Sequence, residues 1–109
     1  MIEEKKVEDA LDYLRNNARK AAQARANRIY VTEFRKVLKA QLMKQAPGES
    51  IGAQEREAYS DPKYSEHLKA MQEAVEQDEY HHFMRSTAEA TIEAWRSQEA
   101  TRRAEGAMR

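Results

Sequence analysis

The sequence predicts an all-α protein: a long antiparallel helical hairpin of coiled-coil character that assembles as a homo-oligomer. Three observations carry this. Residues 1–46 and 63–105 hold neither Pro nor Gly and are filled with Ala, Leu, Lys, Arg, Gln and Glu, all good helix formers. The helix breakers Pro47, Gly48, Gly52 and Pro62 cluster between these stretches. The third is composition. At 109 residues, 35% charged and with a mean hydropathy of −1.00, the chain has few large apolar side chains beyond its alanines. A single hairpin buries little surface, and self-association is the natural remedy.

The first helix is expected over about residues 3–46, with acids in its opening turns where the helix dipole favours them. Projected at about 100° per residue, Tyr30, Val31, Phe34, Val37, Leu38 and Leu42 form one stripe. Arg25, Arg28, Arg35, Lys36 and Lys39 fall opposite it. Leu11, Leu14, Ala18, Ala21 and Ala22 point away from the later stripe, which calls for different packing partners or a break near residues 22–27.

A turn is expected over residues 47–52 and a short helical turn over 53–59. Asp61 then reads as the N-cap of a second long helix with Pro62 at its first position, where a missing N–H costs nothing. That helix is expected over about residues 62–104, ending before Gly106, with fraying beyond. Its apolar stripe also changes face, from Tyr64, Leu68, Met71 and Val75 to Tyr80, Phe83, Met84, Thr87, Thr91 and Trp95. In a hairpin the two switch points, near Arg25 and Asp78, lie at similar distances from the turn. The distal halves therefore meet a second copy of the chain, through Leu11, Leu14, Ala18, Phe83, Met84 and Trp95.

Charge is laid out in blocks. Residues 1–14 carry a net −3, residues 15–44 +8, residues 45–93 −7 and residues 94–109 +2. Residues 15–44 hold nine basic side chains against the single acid Glu33. Such a stretch either pairs with the acidic second helix, through Glu66, Glu73 and Glu76, or meets a polyanion. The outward placement of Arg25, Arg28, Arg35, Lys36 and Lys39 favours the polyanion, with Lys44 extending the same track.

Chemistry is sparsely represented. There is no Cys, hence no disulfide and no thiolate metal site. Asp78 and His82 share a helix face, but two ligands do not make a metal site; a polar, partly solvated helix is the better reading of Asp78, His81 and His82, and His67 reads as structural or solvated. No phosphate-binding glycine loop, nucleophile elbow or marked carboxylate pair is present. The expectation is a non-enzyme without metal or cofactor. The aromatic residues read as core or interface, with Tyr59 as the exposed exception. Apolar runs are too short for a membrane span, and the acidic start lacks the layout of a signal peptide, so a cytoplasmic protein is expected.

The stretch Val37-Leu38-Lys39-Ala40-Gln41-Leu42 resembles a Leu-Lys-Ala-Arg-Leu segment of the UvsY family of phage recombination mediators. A glycine-containing turn and a helix ending Ala90-Thr91-Ile92-Glu93-Ala94-Trp95-Arg96-Ser97 follow in the same order, so the likeness covers roughly residues 25–104. It implies a small helical oligomer that binds single-stranded DNA in a phage-infected bacterial host and helps load a recombinase onto strands covered by single-strand-binding protein. Lys39 matches a basic DNA contact of the family, whereas Gln41 stands where the family has arginine. Arg35, Lys36 and Lys44 supply charge nearby. A second expectation, of a different class, is a helical protein-interaction module, an inhibitor or adaptor, that binds no nucleic acid.

Overall fold

The computed structural model describes residues 1–48 and 50–108. Among these the chain is an all-α helical hairpin of three helices, α1 (Glu4–Gln45), α2 (Ile51–Ser60) and α3 (Pro62–Ala107). α1 is continuous through residues 22–27, so no break is needed there. It stops just ahead of Ala46 and Pro47, because proline disfavours helical backbone in the residue before it.

Within the expected turn, Glu49 lies outside the described residues. α2 begins earlier than expected and is a full ten residues, because Ser50 caps it: the Ser50 hydroxyl accepts from the Ala53 N–H at 3.1 Å. Gly48 lies close against this first turn. A Cβ there would sit 2.7 Å from the Ala53 Cβ, and the Gly48 carbonyl accepts from the Gln54 side chain at 3.1 Å. Gly48→Ala is therefore expected to destabilise the protein by about 1–3 kcal/mol through overpacking, measured as a lowered midpoint in thermal or urea unfolding.

Asp61 starts α3. Its carboxylate accepts from the Lys63 N–H at 2.8 Å, and its carbonyl accepts from the Tyr64 N–H at 3.0 Å. α3 continues through Gly106 to Ala107 rather than ending before the glycine. One glycine in a helix costs only about 1 kcal/mol relative to alanine, too little to force a stop.

The chain forms two compact units, Met1–Ala22 with Tyr80–Arg109, and Gln23–Glu79. In the first, α1 and α3 run antiparallel, with Val7, Ala10 and Ala88 buried. Gln98 clamps the start of the chain: it accepts from the Ile2 N–H at 2.8 Å and donates to the Ile2 carbonyl at 3.1 Å. The Nδ1 of His81 is buried without a hydrogen-bond partner among the described residues.

In the second unit, Leu42, Ala58 and Ala74 are buried. Two polar ties join α1 to α3 here. Arg28 reaches Asp78 at 3.1 Å and Glu79 at 2.9 Å. The Nε2 of His67 lies 2.6 Å from the Val31 carbonyl, an acceptor only, so that nitrogen carries the hydrogen. The expectation of a solvated or purely structural His67 thus resolves to a specific link between helices.

Covered positions along α1 recur at Val7, Ala10, Leu14, Asn17, Ala21, Ala24, Arg28 and Val31, in alternating steps of three and four. Those of α3 run Tyr64, His67, Met71, Ala74, Asp78, His81, then Met84, Ala88, Thr91, Trp95 and Gln98, with one irregular three-residue step from His81 to Met84. This is the 3.5-residue repeat of a coiled coil. It corrects the expected change of face. A projection at 100° per residue drifts by about 20° per heptad against such a repeat, so the roughly three and a half heptads from Val7 to Val31 accumulate about 70° of apparent rotation. Polar residues at the seam, Asn17, Arg28, His67 and Asp78, further hid its continuity.

Candidate nucleic-acid interface

The basic residues of α1 in the second unit divide into two groups. Arg25, Arg35, Lys36 and Lys44 are exposed, whereas Arg28 and Lys39 are partly covered. The expectation that Arg28 and Lys39 face outward is corrected by their partners. Glu79 first and Asp78 next, by hydrogen bonding, hold the Arg28 guanidinium above its ordinary pKa. Lys39 faces α2: its Nζ lies 3.5 Å from Glu55 and 4.9 Å from the centre of the Tyr59 ring, and Tyr59 followed by Glu55 raise its pKa. The ten-residue α2 supplies a partner that the expectation of a brief helical turn did not foresee.

Charge pairing between the helices therefore exists, but with different acids from those expected. Glu66, Glu73 and Glu76 are exposed and make no ion pair among the described residues. Of the exposed cations, Lys36 meets Glu33 at 3.5 Å on the surface, one turn away on the same helix. An exposed pair of that kind contributes little and yields readily to a competing anion.

The same helix carries large apolar side chains in solvent: Ile29 at 56%, Tyr30 at 65% and Val37 at 48% exposure. Tyr30 and Val37 had been expected in the packed stripe. Each directly precedes a covered position, Val31 and Leu38, and so falls to the side of the seam. Projected at about 100° per residue, Arg25, Ile29 and Lys36 lie within about 40° of one another, and so do Tyr30, Val37 and Lys44. The outer face of α1 between residues 23 and 45 thus carries two rows that mix cations with apolar groups, Arg25, Ile29 and Lys36 in one and Tyr30, Val37 and Lys44 in the other, with the exposed acid Glu33 between them. Arg35 stands outside both rows. The spacing of covered positions was the signal that would have placed Tyr30 outside the core.

No family model matches this chain, and neither does any curated protein or solved structure.

In the first unit, the expected interface residues also divide. Leu11 is 46% exposed, Phe83 is 64% exposed and Ala18 is open to solvent, whereas Leu14, Met84 and Trp95 are partly covered along the seam. Trp95 borders a cleft at the start of the chain, lined also by Ile2, Gln98 and Arg102. Tyr80, 56% exposed, joins Leu11 and Phe83 among the exposed apolar residues of this unit.

Asp78 is occupied by Arg28, and the Nδ1 of His82 lies 3.3 Å from an Arg85 nitrogen. Among the described residues no group of three or more His, Asp or Glu is placed to hold a metal ion. No helix among them is long and apolar enough to cross a membrane.

Proposed function

We propose that this protein binds single-stranded DNA without sequence preference through the outer face of α1 in Gln23–Glu79, and serves as a recombination accessory that works beside a recombinase and a single-strand-binding protein. The observation that carries the binding reading is the composition of that face: exposed Arg25, Lys36 and Lys44 are interspersed with exposed Ile29, Tyr30 and Val37, and Glu33 is the sole acid of α1 beyond residue 23. Cations neutralise phosphates, while apolar and aromatic groups meet unpaired bases. The recombination role, and its setting in a phage-infected bacterium, rest on the resemblance to the UvsY family.

Self-association is part of the same proposal. Leu11, Tyr80 and Phe83 expose apolar surface in the first unit, and four of the six buried residues of the described chain are alanines, so a hairpin alone gains little from burial. Phe83→Asp is expected to shift sedimentation to smaller species while leaving helicity unchanged. A wild-type chain that sediments as a monomer at micromolar concentration would overturn this part.

The binding itself is tested by anisotropy of a labelled oligothymidine titrated with the full chain. Saturable binding at low salt supports the proposal. Its absence under those conditions would favour the protein-interaction module, with the exposed rows of α1 as its recognition surface.

A further inference from the structure

Tyr30 is held in place from behind. Its ring stacks on Phe34 with centroids 5.9 Å apart and an interplanar angle of 17°. Phe34 in turn lies 5.6 Å from the His67 ring, and His67 is fixed by its hydrogen bond to the Val31 carbonyl. One face of the Tyr30 ring is thus backed by a supported aromatic pair, while the residue remains 65% exposed. An exposed tyrosine without such support samples several rotamers and loses that freedom on binding. This one is largely preorganised.

The outer face that carries it also carries exposed cations: Lys44 lies in the same row as Tyr30, about 21 Å along the helix axis, and Arg25 and Lys36 lie in the neighbouring row, about 8 and 9 Å along the axis and more than about 100° round the helix. Ile29 and Val37, the other exposed apolar residues of this face, offer no π face. Resting on the single-strand reading above, we propose that Tyr30 is the base-stacking residue of this face and that it makes the protein select unpaired strands over duplex.

The physical reason for the selection lies in access. In duplex DNA the base faces are stacked on one another, and a ring standing on a convex helix surface meets only groove edges and backbone. In a single strand each base has a face to offer, and stacking is tolerant of sequence because every base is aromatic. The cations act on both forms of DNA, since both carry phosphates. Strand selectivity and salt dependence therefore reside in different side chains.

The test uses the full chain with Tyr30→Ala, Tyr30→Leu, Tyr30→Phe and Tyr30→Trp, titrated against oligothymidine and against a duplex of equal length across a salt series. Tyr30→Ala and Tyr30→Leu should each weaken single-strand binding by roughly fivefold to a hundredfold. Duplex binding and the salt dependence should stay as in the wild type, and Tyr30→Phe and Tyr30→Trp should retain single-strand affinity. The leucine variant keeps apolar bulk without a ring, so it separates stacking from simple burial. Unchanged single-strand affinity in both ring-less variants, beside a wild type that binds steeply with salt, overturns the stacking role and leaves the cationic track intact. Equal losses on single strand and duplex, or a change in sedimentation, assign Tyr30 to folding or to contact between copies and also overturn it. A wild type that binds neither form removes the single-strand reading and this inference together.

Discussion

Replacing Arg25, Arg35, Lys36 and Lys44 together by Gln should weaken single-strand binding on the order of tenfold or more at low salt and flatten what remains of its salt dependence. These four side chains are exposed on the basic segment of α1. Their removal should leave helicity and oligomer size unchanged, because none of them forms an ion pair with another helix among the described residues. Arg28→Gln and Lys39→Gln are the controls. Their charges are already matched by Asp78 and Glu79 on α3 and by Glu55 on α2, so they should loosen the packing of the second unit while leaving the salt slope of binding nearly unchanged. A quadruple variant that binds like the wild type would place any DNA track elsewhere.

The second large effect concerns stability. Leu42→Ala should cost about 2–5 kcal/mol in urea unfolding, because Leu42 is 4% exposed and its truncation leaves a cavity that the helices cannot fully close. Among the buried residues of Gln23–Glu79 the others are alanines, so no neighbouring large side chain in that buried set can take over its role. Against a total stability of about 5–15 kcal/mol for a small domain, such a loss would markedly lower the unfolding midpoint. Truncation of exposed Val37 to Ala on the same helix should cost far less, under about 0.5 kcal/mol. Equal losses at the two positions would contradict the seam described for α1.

The helical class and the hairpin were legible because they depend on local signals that add up. Long runs of helix formers, Pro47 as a stop, and Asp61 with Pro62 as a start each act within a few residues. The length of α2 was less legible, since it depends on Ser50 acting as a cap at the edge of a segment that otherwise reads as a turn.

The site was legible only in part, for a physical reason. Net charge along residues 15–44 marks α1 as a cationic element, but which charges stay free depends on register across the hairpin. Arg28 meets Asp78 and Glu79 rather than Glu66, Glu73 or Glu76, and one-turn differences of this kind are set by tertiary packing. Tyr30 lies outside the core although its hydrophobic character alone points to burial. The repeat of covered positions, carried partly by Asn17, Ala21, Ala24 and Arg28, excludes Tyr30 although it is the larger apolar surface. In a helix pair with so few large apolar residues, spacing is the better guide than hydrophobicity.

The central claim is that the outer face of α1 meets a phosphate backbone, and the slope of log binding constant against log salt for the full chain on oligothymidine tests it most directly. With three phosphates neutralised per protomer, by Arg25, Lys36 and Lys44, the expected slope is about −2, equivalent to a loss of roughly twentyfold in affinity between about 50 and 200 mM salt. A slope near zero, or no binding at the lowest salt, would contradict it.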